Sequence, residues 1–252
     1  MKYYKLAIFG FFSIIIFLIV IYKKKEGFEN NDNKIKMYVI SLRREDRLKN
    51  IEEQRAKINN NHLEIFDAVK GDSLNIEKLM DDNIISRIWE NGPSYKKREI
   101  GCYLSHHYIY NKIVTHHQED DYTIIFEDDF KIESDDFLGD VNNAIKLTDG
   151  NFDILFLGNT NNNRGKLYDK NIYHVNNNES LNGTYCYMVN NKNIGKIISE
   201  TEDIDMPIDL KINDLYNKNK LNVLVMYPTI VAHSSESSNI RDMTVETFTS
   251  YS

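Results

Sequence analysis

A single α/β domain on a mostly parallel sheet, preceded by a transmembrane helix, is the architecture this sequence predicts. Three observations carry the prediction. Six apolar, β-branched runs of strand length alternate with stretches whose apolar residues recur at helical spacing. Strands separated by helices pair in parallel, with helices over both faces of the sheet. The 252 residues are 41% hydrophobic and 12% aromatic, enough for one full core and too much for a disordered chain. Finally, residues 6–22 contain no charged side chain.

That apolar run comes first in the chain. At about 1.5 Å per residue it spans roughly 26 Å, close to a hydrocarbon core of about 30 Å. Tyr3, Tyr4 and Tyr22 stand where interfacial aromatics belong, and Lys2, Lys5, Lys23, Lys24 and Lys25 close its ends. A cleaved signal peptide needs a small-residue cleavage site after the apolar run. Three lysines follow here instead, so residues 1–25 read as an uncleaved anchor. Basic residues on both sides leave its orientation open. Residues 26–35 are polar and patternless, a short stem. The domain proper is expected over 36–243, with a tail at 244–252. Its strands are expected at 36–42, 63–69, 122–127, 152–158, 184–189 and 222–227. Helical stripes run through Leu48, Ile51 and Ile58, then Ile100, Tyr103, Leu104, His107 and Val114. Further stripes follow at Phe137, Leu138, Val141, Ala144 and Ile145, and at Ile194, Ile197 and Ile198. No internal repeat interrupts them.

Charge narrows the partners. Against 31 Lys and Arg stand 38 Asp and Glu, a net charge of −7, so a nucleic-acid partner held by counterion release is not expected. Two cysteines, Cys102 and Cys186, are too few for a disulfide framework or a zinc cage. Separate thiols are the expectation.

In a parallel sheet ligands bind at the carboxyl ends of the strands, and four places meet that test. At 40–47 (ISLRREDR) a hydroxyl, three guanidiniums and a helix start suit a phosphate-bearing ligand, although a solvated helix start with internal ion pairs fits equally. At 126–129 (FEDD) three carboxylates leave the end of a strongly apolar strand. Such a cluster suits Mg²⁺ or Mn²⁺ completed by a diphosphate, or else is an acidic turn. Residues 119–121, which precede the same strand, read as that turn. At 98–107 (REIGCYLSHH), Cys102 and His106 share a helix face and suggest either a metal pair or a dyad. No second pair with zinc spacing supports the first, and no positioned third group supports the second. The fourth place, 227–241, surrounds His233 with small hydroxyls, as either a flexible tail or a lid bearing a ligand.

Together and in this order, these segments resemble glycosyltransferase family 25, which includes lipooligosaccharide and procollagen galactosyltransferases. The resemblance rests on 38–44 (YVISLRR) with Asp46 and Arg47, 99–106 (EIGCYLSH), 125–129 (IFEDD) and 153–158 (DILFLG). It continues through 183–189 (GTYCYMV), 207–209 (PID) and the segment from Tyr227. It covers roughly residues 36–241. The tail differs, reading Ser235-Glu236 where many members have Ser-Asp.

The resemblance implies a GT-A, Rossmann-like domain that takes a UDP-sugar with Mn²⁺ or Mg²⁺ and transfers galactose or glucose with inversion. The acceptor would be a hydroxyl of a glycan, a lipooligosaccharide or a hydroxylysine-type protein. Residues 127–129 then stand for the Asp-X-Asp element. Asp129 would hold the ion, Glu127 would act through it or through the ribose, and Asp128 would lie behind them or face the sugar. His233 would add a further ligand. Ser41, Arg43, Arg47, Ser105 and His106 would line the nucleotide pocket, with Arg241 over the diphosphate. Asp209 would take the proton from the acceptor hydroxyl, or merely cap the helix that begins after Pro207. The resemblance also places the domain on the lumenal or external side of the membrane. The sequence also admits two other readings. One is a membrane-anchored binding protein that keeps the fold without catalysis. The other is a phosphoryl- or nucleotidyltransferase, which would want a nucleophilic Asp or a Gly-rich phosphate loop, and neither is evident.

Overall fold

The computed structural model describes residues 33–58, 63–86, 94–117, 119–160 and 163–234. The expected anchor at 6–22, most of the stem, and the tail with Arg241 lie outside them. Among the described residues no helix is long and apolar enough to cross a membrane.

The first half is a βαβ unit. Strand β1 (Ile35–Ser41) leads into helix α1 (Glu45–Ile58) and back to β2 (Leu63–Asp67), which pairs with β1 in parallel. A short helix α2 (Ile76–Asp81) and the long α3 (Ser94–His116) then carry the chain to β3 (Tyr122–Glu127), parallel to β1 on its other side. A tight turn gives β4 (Phe130–Ile132), followed by α4 (Phe137–Thr148) and β5 (Ile154–Gly158). A small hairpin, β6 (Leu167–Asp169) and β7 (Ile172–His174), precedes β8 (Cys186–Asn190). Helices α5 (Ile194–Glu200) and α6 (Ile208–Asn217), then β9 (Val223–Met226) and β10 (Val231–His233), complete the described fold.

The eight-stranded sheet has the order β2-β1-β3-β8-β5-β9-β7-β6, and β4 pairs with β10 apart from it. It is mixed: most strands share one direction, as expected of a mostly parallel sheet, but two reversed strands were missed. Strands β1, β2, β3, β5 and β9 run one way, but β8 lies antiparallel between β3 and β5, and β7 lies antiparallel to β9. The reason for the miss is physical. A strand buried on both faces reads as a continuous apolar run whichever way it points, and all five residues of β8 are buried. The four three-residue strands β4, β6, β7 and β10 were too short to register as runs.

Two cores flank the sheet. Side chains alternate between them along each central strand, as pleating requires. Tyr38, Ile125, Tyr187, Phe156 and Val225 face α3, α5 and α6, while Val39, Phe126, Met188, Leu155 and Leu224 face α1 and α4. Helix α3 turns slightly differently from its predicted stripe. Ile109, Tyr110 and Ile113 continue the buried face, with His106 fully buried in place of His107, and Val114 is exposed. Cys102 and Cys186 are both free thiols on opposite faces of the sheet.

Candidate functional site

The chain passes from β1 to β2 on one side and returns to β3 on the other, so a crevice opens between the carboxyl ends of β1 and β3. Open α/β sheets bind ligands at such a switch point. Because β8 runs the other way, the residues just before it, Thr184 and Tyr185, reach the same edge.

Residues 127–129 fill this edge, and their three carboxylates fan out to three different neighbours. Asp128 turns toward β1 and α1. Its Oδ2 accepts a hydrogen bond of 2.7 Å from Ser41 Oγ, and Arg47 Nε lies 3.7 Å from its Oδ1. Burial pushes its carboxyl up to about 6, reinforced by Asp129 and Glu127, while Ser41 and Arg47 act the other way. Asn50 Nδ2 donates to the carbonyls of Asp128 and Phe130, both at 3.0 Å, and so pins the β3–β4 turn to α1.

Asp129 turns toward β10. Its Oδ2 lies 3.1 Å from His233 Nε2 and 3.8 Å from Arg47 Nη1. Its Oδ1 is buried with no hydrogen-bond partner. The β4–β10 ladder makes this meeting, because it pairs His233 with Phe130, and the Ser234 N–H donates to the Asp129 carbonyl at 2.6 Å. The hydrogen bond that His233 donates to the Asp129 carboxylate raises the imidazole above its ordinary range.

Glu127 turns the opposite way, toward α3. Thr184 Oγ1 donates to its Oε1, and His106 Nε2 lies 3.4 Å from the same oxygen. His106 Nδ1 shares a hydrogen bond of 2.8 Å with Tyr187 OH, which meets Tyr110 OH at 2.7 Å. Cys102 Sγ, a His106 ring nitrogen and a Glu127 oxygen lie within 4.8 Å of one another.

The structure thus brings Ser41, Arg47, Asp128, Asp129 and His233 together on one flank of the turn, and Glu127 with His106 on the other. Asp209 sits in the first turn of α6 after the N-cap Pro207. Its Oδ2 accepts from the Gly183 N–H at 3.0 Å and its Oδ1 from the Leu210 N–H at 2.8 Å. Gly183 has φ 84°, a conformation that glycine adopts without strain. Three nucleotide-pocket candidates have partners within the protein. Ser105 is buried, donating to the Gly101 carbonyl and accepting from the Val69 N–H. Arg43 has φ 57° and pairs with Asp67 at the end of β2. Arg47 is fully buried beside the two aspartates that it steadies. Asn50, Thr184 and Tyr187 were not anticipated. Each is a common polar or aromatic residue whose role exists only through a distant partner, so no local pattern announces it.

A family model described as Glycosyltransferase family 25 (LPS biosynthesis protein) matches residues 34–212. The chain belongs to glycosyltransferase family 25. The matched span takes in the β1–β3 crevice, residues 127–129 and Asp209. A glycosyltransferase 25 family member of Aedes aegypti is 35% identical over 107 residues, 38% of this chain and 16% of that relative. The region of similarity is therefore a small part of that family 25 protein. Among solved structures, a glycosyltransferase involved in the glycosylation of the major capsid of PBCV-1 aligns with 81% of this chain and 95% of its own. That alignment has 11% identity and a TM-score of 0.45. A197 from STIV aligns with 81% of this chain and 86% of its own, at 12% identity and a TM-score of 0.38.

Proposed function

We propose that this family 25 protein transfers a hexose, galactose or glucose, from a UDP-sugar to a hydroxyl of a glycan, lipooligosaccharide or protein acceptor, with inversion and in a GT-A-type domain. The observation that carries the reading is the Asp129–His233 pair at the topological switch point. A buried carboxylate oxygen without a partner, beside an imidazole 3.1 Å from the other oxygen, is a donor set whose carboxylate suits Mn²⁺ or Mg²⁺ and whose imidazole favours Mn²⁺ of the two. Asp129 Oδ1 and His233 Nε2 would hold the ion. Once bound, it would neutralise the charge that develops on the leaving diphosphate.

The rest falls to the chain's own groups. Ser41, Arg47 and Asn50 hold Asp128 and the β3–β4 turn, so Asp129 meets the donor in a fixed orientation. Asp209 keeps unused lone pairs beyond its two backbone contacts and is the proposed acceptor of the hydroxyl proton. The anchor at 6–22 would keep the domain at a membrane surface, on its lumenal or external side. A panel of UDP-sugars with Mn²⁺, scored for UDP release and acceptor transfer, tests the catalytic reading. Absence of Mn²⁺-dependent UDP release with every donor would favour a fold kept for binding alone. Resistance of the full chain to alkaline carbonate extraction tests the anchor, and mature protein beginning after Lys25 would refute it.

A further inference from the structure

The flank that Glu127 faces carries separate chemistry. His106 is fully buried, and its Nδ1 is committed to Tyr187, which is committed in turn to Tyr110. Its other nitrogen, Nε2, points at Glu127 Oε1 from 3.4 Å and has no hydrogen-bond partner. A buried ring nitrogen left in that state has lost its water without gaining a partner in exchange. One turn earlier on α3, Cys102 directs its sulfur into the same space. Burial pushes the Cys102 thiol well above its ordinary range, and Glu127, Asp209, Asp129 and Glu99 act in the same direction, so the local field is negative.

We propose that Cys102, His106 and Glu127 form a binding site for a soft divalent cation of the Zn²⁺ class, distinct from the Asp129–His233 pair. Sulfur, imidazole and carboxylate together select Zn²⁺ or Co²⁺ over Mg²⁺ and Mn²⁺. Their separations suit it. Bonds of about 2.3 Å to sulfur and about 2.0 Å to nitrogen or oxygen put ligands roughly 3.2–3.8 Å apart in a tetrahedron. The His106–Glu127 contact already has that spacing, and the sulfur lies within 4.8 Å of both partners, within reach of a rotamer adjustment. Tyr187 supplies the outer hydrogen bond that orients a metal-binding histidine and leaves Nε2 free to ligate. Three protein ligands leave the fourth position to water or substrate, the pattern of reactive rather than structural zinc sites. Binding replaces the Cys102 S–H bond with a sulfur–metal bond and releases one proton to solvent. The α3 helix supplies the i, i+4 pair, and β3 supplies the third ligand that sequence spacing alone did not offer.

The test uses the full chain in detergent, stripped of metal and kept in excess Mg²⁺ to occupy hard-donor sites. Addition of Co²⁺ should produce a thiolate-to-cobalt charge-transfer band that saturates at one equivalent and is abolished by Zn²⁺. Cys102→Ser should lack the band, and Cys186→Ser and Asp129→Asn should keep it. Tyr187→Phe, which removes the outer hydrogen bond to His106 along with the one to Tyr110, should weaken Co²⁺ binding about tenfold or more. Circular dichroism confirms that each variant is folded. Wild-type protein without the band, or a band that survives in Cys102→Ser, overturns the site. Because the readout is spectroscopic, it is independent of sugar transfer.

Discussion

Replacing Asp129 by asparagine keeps the shape of the side chain and removes its charge. In the folded protein Asp129 Oδ2 meets His233, and Oδ1, buried with no hydrogen-bond partner, is the oxygen proposed to bind the cation. Asparagine retains one carbonyl for His233, but it replaces either this contact or the cation-binding oxygen by an N–H donor. Ion stabilisation of a leaving group is worth several kcal/mol, so transfer should fall by about a thousandfold or more, each ~1.4 kcal/mol being tenfold. Stability without metal should change little. The loss of the Arg47 contact at 3.8 Å is offset by relief of repulsion on Asp128, whose carboxyl Asp129 helps to raise. The net effect should stay within about 1 kcal/mol. The ligand-induced shift should disappear instead. At about 100 Kd of Mn²⁺ plus UDP the wild type gains roughly 2.7 kcal/mol, and at about 2–4 °C per kcal/mol that is roughly 5–10 °C in Tm. Differential scanning fluorimetry with and without Mn²⁺ and UDP reads this directly, beside a UDP-release assay. Asp121→Asn is the control, because Asp121 holds the Lys34 N–H at the far end of β3 and should leave both readouts intact. Mn²⁺-dependent UDP release by Asp129→Asn near the wild-type rate would show that the ion is held elsewhere.

Three further outcomes follow from the same geometry. A Cβ at Gly158 would lie 2.3 Å from the Val231 carbonyl, so Gly158→Ala should displace β10 and His233. It should cost about 1–3 kcal/mol in chemical denaturation and weaken Mn²⁺ plus UDP binding about tenfold; unchanged binding would mean that β10 does not position the ion. Asp129 raises His233 above its ordinary 6.5, so the protonated pair stabilises the metal-free fold below that value and is lost as pH rises through the raised one. Ion binding needs the neutral ring and should strengthen across the same interval, a trend that fluorimetry from about pH 5.5 to 8.5 would detect and that His233→Gln should flatten. Asp209→Asn should lower turnover by about 10²–10⁴ with the UDP-induced Tm shift preserved; normal turnover with a destabilised fold would assign Asp209 only to Gly183 and the start of α6.

The sequence by itself determined the alternation of strands and helices, because burial on both faces demands unbroken apolar runs such as 122–127, and helix packing demands a 3.6-residue stripe. It also determined that three carboxylates leave the end of β3, since that position is adjacent in the chain to the strand it follows. Pro207 announced the start of α6 for the same local reason. What only the tertiary structure decided is where those groups point. The direction of β8 depends on its pairing partners, and its reversal is what brings Thr184 to Glu127. The meeting of His233 with Asp129 depends on a three-residue ladder between β4 and β10, too short to carry a period. Cys102, His106 and Glu127 converge because α3 packs its buried face across β3, and Arg47 is buried because α1 lies along the opposite face. Local pattern records which side chains leave water, whereas a site is a set of distances between segments far apart in the chain, and those distances exist only once the sheet has chosen its order.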